Sequence, residues 1–143
     1  MKVAPVLQDK TIPVETIDQA LSELKFTADG LIPAIAQDHQ TGEILMMAWM
    51  NAQSIRETLT QGRAVYWSRS RQALWPKGET SGQIQALVDF RIDCDGDTIL
   101  LIVDQTGVAC HTGRRNCFFR SVSAGGIVEI PMERADPDAL YGR

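Results

Sequence analysis

The three cysteines of this chain, Cys94, Cys110 and Cys117, all lie in its second half, spaced C-x15-C-x6-C. Cys94 is threaded between carboxylates in Asp93-Cys94-Asp95-Gly96-Asp97, and His111 follows the second cysteine in Cys110-His111-Thr112-Gly113. Thiolates are soft ligands that suit zinc, whereas grouped carboxylates suit a hard cation such as magnesium. Three protein ligands leave the fourth zinc position free for water, which is the coordination plan of a catalytic site. These residues point to two metals and a hydrolysis.

Each group also has a plainer reading. A lone cysteine is usually a small buried hydrophobe. Here Cys94 is flanked by aspartates and Cys117 follows Arg114-Arg115-Asn116, so neither neighbourhood is apolar, and nearby cations favour thiolate. No C-x2-C knuckle is present, so the ligand reading rests on these neighbourhoods more than on spacing. In an extended segment Asp93, Asp95 and Asp97 would share one face, with Cys94 on the other. Three like charges on one face repel, so either a solvated Asp95-Gly96 turn or a bound divalent cation must account for them. An EF-hand is excluded, because the glycine falls fourth from Asp93 and not sixth.

His111 could be a fourth ligand, a proton carrier or a plain turn residue; a zinc-water mechanism needs a carrier that works near neutral pH. His39 has no partners nearby in sequence and is expected to face solvent. Arg69, Arg71, Lys77, Arg114 and Arg115 sit in two polar loops, as local phosphate contacts or as ordinary surface charge. Trp49 and Trp67 read as core residues, and Trp75, in a polar loop, as a surface for base stacking.

The elements that must position these groups follow from periodicity. Ile17, Leu21 and Leu24 lie at helical spacing within Val14 to Phe26, after a loose arm over 1–13. Leu31 to Ala36 and Ile44 to Met50 read as a β-hairpin. Asn51 caps a helix through Ile55 and Leu59 that stops at Gly62, and Ala64 to Ser68 reads as a strand. Arg69 to Gly82 is too polar and broken for a core element. Gln83 to Ile92 and Thr98 to Val103 read as long strands joined through the aspartates, and Gly107 to Cys117 as a loop. Phe118 to Val122 and Ile127 to Ile130 are expected to close the sheet, with a surface tail over 131–143. The expected fold is one α+β domain of 143 residues, a mainly antiparallel sheet with short helices.

An apolar fraction of 44% and a charged fraction of 22% are those of a globular protein, and the net charge of −4 argues against a nucleic-acid or membrane partner. No stretch approaches the roughly 18 apolar residues of a membrane span. The N-terminus lacks the apolar run of a signal peptide, and an odd cysteine count argues against a disulfide framework, so the expected location is cytoplasmic.

From Phe26 to Val122 the chain resembles the phosphoribosyl-AMP cyclohydrolase family of histidine biosynthesis. The resemblance rests on Gly30-Leu31-Ile32-Pro33-Ala34-Ile35-Ala36-Gln37-Asp38, Tyr66-Trp67-Ser68-Arg69-Ser70-Arg71, and Trp75-Pro76-Lys77-Gly78-Glu79-Thr80-Ser81-Gly82. It continues in Asp93-Cys94-Asp95-Gly96-Asp97-Thr98 and Ala109-Cys110-His111-Thr112-Gly113. Two positions depart from the family's pattern: Val108 stands where proline is expected, and Gln83 where Asn or His is commoner. Carried over residue by residue, the resemblance implies zinc on Cys94, Cys110 and Cys117 and magnesium on Asp93, Asp95 and Asp97. It also implies a homodimer whose zinc sites, one per subunit, draw cysteines from both chains. In some organisms a phosphoribosyl-ATP pyrophosphatase domain is fused behind this one; here a separate enzyme is expected to supply the substrate.

The implied reaction suits the residues. A ribosyl phosphate on N1 makes C6 of the adenine ring electrophilic, and water activated by zinc near neutral pH can attack there. Breaking the C6–N1 bond leaves a carboxamide and a formamidine. N1 then needs a proton, for which His111 is the candidate. Two rivals remain. A purine deaminase attacks the same carbon but uses an H-x-E and P-C-x-x-C signature that is absent here. A structural zinc module for protein or RNA would hold four protein ligands and unfold without metal.

Overall fold

The computed structural model describes residues 11–136 and residue 138. Helix α1 covers Val14–Glu23 and presents Ile17 to the core, with Leu24 buried just past its end. Strands β1 (Ile32–Asp38) and β2 (Ile44–Met50) form the expected antiparallel hairpin, with Ile32 opposite Met50 and Gln37 opposite Ile44. Asp38 builds the turn: its carboxylate accepts hydrogen bonds from the N–H groups of Gln40 and Thr41 and from the Thr41 hydroxyl.

Asn51 caps α2 (Ala52–Gln61) as its sequence suggests. Its side chain accepts from the Ser54 N–H while the Ser54 hydroxyl accepts from the Asn51 N–H, which satisfies two donors the helix itself leaves unpaired. Gly62 ends the helix in the left-handed region, with φ of 72°. Thr58 then ties α2 to β3 (Val65–Ser68): its hydroxyl donates to the carbonyls of Ser54 and Val65 and accepts from the Val65 N–H.

β5 (Gln85–Ile92) and β6 (Ile99–Gln105) complete a four-stranded sheet ordered β2-β1-β6-β5. The outer pairings are antiparallel and the central β1–β6 pairing is parallel. The result is one α+β domain with mainly antiparallel sheets and two short helices. Ile32, Ala34 and Ala36 of β1 alternate onto the face shared with Ile99, Leu101 and Val103 of β6, and all six are fully buried. Met50, Ile55, Leu59 and Tyr66 cover that face. Burying each of the larger side chains contributes about 1.5–3 kcal/mol, which makes this layer the rigid support of the loops at its edge.

The structure departs from the sequence expectations in four places. Within the stretch from Arg69 to Gly82, Ala73–Pro76 forms β4, which pairs with β3 so that Trp75 lies against Tyr66, ring centroids 5.5 Å apart. The strand survives its polar surroundings because Trp75 packs on the core and the following Lys77 is buried. Arg120–Ser123 and Gly126–Glu129, β7 and β8, do not close the sheet; they pair only with each other, and Val122 and Ile127 stay exposed. Asp93 to Asp97 takes the turn that Asp95-Gly96 signalled and not the extended alternation, because Gly96 adopts φ of 77° and the Gly96 N–H bonds the Asp93 carbonyl. His39 is half-buried, with Nε2 3.7 Å from Asp104. Residues 1–10, most of the expected arm, lie outside the described residues. So do residue 137 and residues 139–143 of the expected tail.

Candidate active site

β6 leads into the loop that carries two of the cysteines, and three side chains from the neighbouring segment hold its first turn. Gln105 Nε2 donates to the carbonyls of Gln83 and Thr106, and the Val108 N–H donates to Gln83 Oε1 at 2.7 Å. Lys77 Nζ donates to the Ala109 carbonyl at 2.7 Å. The chain then turns tightly, with the Gly113 N–H bonded to the Cys110 carbonyl, and returns so that the Cys117 N–H bonds the Leu45 carbonyl of β2. This path brings the thiols of Cys110 and Cys117 close enough to interact, and Cys110 Sγ lies 3.0 Å from the Thr112 hydroxyl.

Cys117 is exposed as a residue, yet burial of its thiol, then the charge of Cys110 and the hydrogen bond with it, push its pKa up to about 12, against the pull of Lys77. A soft cation bound at Cys117 would favour the thiolate that this burial opposes.

A cavity of about 460 Å³ opens at Cys117. Cys117, His111, Lys77 and Glu79 line one part, and Arg71, Trp75, Met46 and Met47 the rest. Its size lies within the roughly 300–1,000 Å³ of small-molecule sites. A second cavity shares Met47, Ala48 and Trp75 with the first and extends to Arg69 and Ser70. Trp75 therefore divides a continuous groove with an arginine in each half.

The aspartates form a separate cluster. One carboxylate oxygen from each of Asp93, Asp95 and Asp97 comes within 4.8 Å of the others, the one such group of His, Cys, Asp or Glu donors among the described residues. The turn is pinned to the end of α1 by the Lys25 N–H on the Gly96 carbonyl, and a Cβ on Gly96 would lie 2.5 Å from the Glu23 carbonyl. Hydrogen bonds with Asp93 and Asp95 hold the Asp97 carboxyl above the usual carboxylate range. Slight desolvation works against charge at Asp93, but hydrogen bonds from Asp97 and from the Thr98 N–H outweigh it and leave it below that range. A cation among the three carboxylates would offset the mutual repulsion that raises Asp97.

The family model for phosphoribosyl-AMP cyclohydrolase matches residues 46–119, which carry both the cavity wall and every cysteine. A phosphoribosyl-AMP cyclohydrolase from Rhodospirillum centenum is 61% identical over 127 residues, covering 89% of this chain and 96% of that protein. Relatives of the same name from Paramagnetospirillum magneticum and Rhodospirillum rubrum are each 62% identical, over 90% and 83% of this chain and 98% and 84% of their own. The chain belongs to the phosphoribosyl-AMP cyclohydrolase family.

Within this cyclohydrolase fold the candidate residues fall into three places. Cys117, His111, Lys77 and Arg71 line the main cavity, and Cys110 lies close to Cys117 just outside its lining. Cys94 lines a different cavity, with Glu23, Lys25 and the aspartate turn, and makes no three-donor group with the other cysteines. Arg69 stacks over Trp49 at 5.0 Å. Arg114 is engaged by Glu129 and the Phe119 ring, and Arg115 by Glu43. Glu79 was not singled out from the sequence, although it stands inside the Lys77-Gly78-Glu79-Thr80-Ser81 motif. Gln83 stood out in the sequence only as a departure from the family's pattern and Gln105 carried no signal, because their task is set by groups that approach only in the folded chain.

Proposed function

We propose that this protein hydrolyses phosphoribosyl-AMP at the C6–N1 bond of its adenine ring, a step of histidine biosynthesis, at a zinc site formed by Cys94, Cys110 and Cys117. The observation that carries the reading is Cys117, with Cys110 close by, in the wall of a cavity that also holds His111 and Arg71. Zinc held there would supply Lewis-acid activation of water at neutral pH. Its third thiolate comes from a second copy of the chain, in a homodimer with two equivalent sites. Support for that arrangement is the separation of Cys94 from the other two cysteines within one chain.

The chain's own groups do the rest. Trp75 and Met47 offer the apolar surface for the adenine, with the groove on either side for the two phosphoribosyl arms. Arg71 and Arg69, one in each half of the groove, hold the phosphates; Arg114 and Arg115 are drawn away by Glu129 and Glu43. His111, exposed on the cavity wall, delivers the proton that N1 needs as the C6–N1 bond breaks. Asp93, Asp95 and Asp97 hold magnesium, which would supply positive charge toward the substrate's phosphates.

The test is to incubate the purified protein with phosphoribosyl-AMP and follow opening of the ring by ultraviolet absorbance, with and without a zinc chelator. Ring opening that stops with the chelator and returns with zinc supports the reading. Release of ammonia with the ring intact would establish a deaminase instead, and turnover indifferent to zinc depletion would remove the metal from the account.

A further inference from the structure

Lys77 is only 4% exposed, although a charged side chain is almost never that buried without a partner. Among the described residues no carboxylate lies within 4.0 Å of its ammonium. It meets the Ala109 carbonyl at 2.7 Å and the Trp75 ring, 5.6 Å from the centroid. Its backbone is fixed on both sides, by its N–H on the Ala64 carbonyl and by Arg63 Nη2 donating to its carbonyl at 2.7 Å. The fold spends a rigid frame on placing one cation beside the residue that precedes Cys110.

Lys77 and Cys117 line one cavity, and Cys110 directly follows the carbonyl that Lys77 holds, so these cysteines, once ionised for a metal, would favour its charged form against the burial that opposes it. Cysteines must lose their protons to bind zinc. Zinc held by three thiolates carries a single net negative charge, and one ammonium cancels it. We propose that Lys77 is a positioning residue for the zinc site: it fixes the backbone ahead of Cys110 and supplies the countercharge for the Cys110–Cys117 thiolates. This rests on the reading that those cysteines bind zinc, and it gives Lys77 a task other than phosphate contact.

Zinc affinity separates this from a purely structural role. It is measured by competition with a chromophoric chelator on the full chain, alongside thermal melting of the metal-free proteins. Lys77→Met should weaken zinc binding about 10–100-fold, the usual cost of losing a group that orients a metal ligand. Metal-free melting should change little, because losing the desolvation cost of the ammonium offsets the unpaired Ala109 carbonyl. Lys77→Arg, which keeps charge and donor, should recover most of the affinity. Lys77→Gln, neutral and more tolerant of a wet site, is held to the same outcome as Lys77→Met should the latter not fold. Parent-like zinc affinity in the neutral variants would overturn the proposal, as would a loss that follows metal-free stability and is not rescued by arginine. A parent protein that binds no zinc would remove the cysteine reading, and this proposal with it; a parent that binds zinc while the neutral variants match it would remove this proposal alone.

Discussion

Two glycines of one loop offer a paired measurement of how tightly the cavity wall is built. Gly78 and Gly82 both lie in the left-handed region, with φ of 86° and 77°. A Cβ on Gly78 would stand 2.6 Å from Gln83 C and Ile84 N, whereas a Cβ on Gly82 would meet nothing within 4 Å. Alanine at either position incurs the left-handed strain of about 1–2 kcal/mol. Gly78→Ala adds a backbone clash that no rotamer change relieves, and overpacking of that kind costs about 1–3 kcal/mol more. The expected losses are therefore about 2–5 kcal/mol for Gly78→Ala and about 1–2 kcal/mol for Gly82→Ala. Urea unfolding at one fixed protein concentration reads both, since concentration would enter the stability of the proposed dimer. Turnover should separate them further: shifting Gly78 moves Lys77 on one side and Glu79 on the other, and a displacement near 1 Å costs about a hundredfold. Equal destabilisation by the two substitutions, or unaltered turnover in Gly78→Ala, would refute the claim that backbone packing at Gly78 sets the wall.

Three further outcomes are expected. Tyr66→Phe leaves the buried Gln85 Oε1 without the hydroxyl now 2.6 Å away and should cost about 1–3 kcal/mol in urea unfolding. Burial, and then the charge of Cys117, hold Tyr66 neutral far above the usual phenol range. An unfolded tyrosine ionises near pH ~10, so this stabilisation is whole below about pH 10 and falls above it by up to about 1.4 kcal/mol per pH unit, a slope Tyr66→Phe should lack. Asp95→Asn should leave zinc content unchanged while raising the magnesium concentration needed for activity, measured by titration; an unaltered requirement contradicts the aspartate site. His111→Ala should keep substrate affinity and lose about 10²–10⁴-fold in turnover, with a flattened pH profile, and parent-like turnover would make it a turn residue only.

What the sequence disclosed depended on whether the cause was local. The cap at Asn51, the stop at Gly62 and the β1–β2 hairpin were all legible, because each is built by residues within a few positions of one another. The pairing of Cys110 with Cys117 was less so, since it depends on Lys77, Gln83 and Gln105 holding the loop from outside. β4 was missed for a related reason: its polarity reads as a loop until Tyr66 and the core supply a surface for Trp75. The aspartates were recognised as a group on a mistaken premise of strand alternation; Gly96 gathers them by turning the chain back on itself. β7 and β8 carry the apolar alternation of sheet strands, yet nothing among the described residues of the chain covers Val122 or Ile127.

The central claim is a hydrolytic zinc site built from Cys94 of one chain and Cys110 with Cys117 of another, and mixing two inactive proteins tests it most directly. Cys94→Ser and Cys110→Ser should each be inactive and depleted in zinc. Unfolded and refolded together with zinc, random pairing makes half the dimers mixed, and each mixed dimer has one site with both defects and one intact. About a quarter of the parent ring-opening activity on phosphoribosyl-AMP should therefore return. Fully reassorted, zinc-replete dimers that recover none would contradict the shared site.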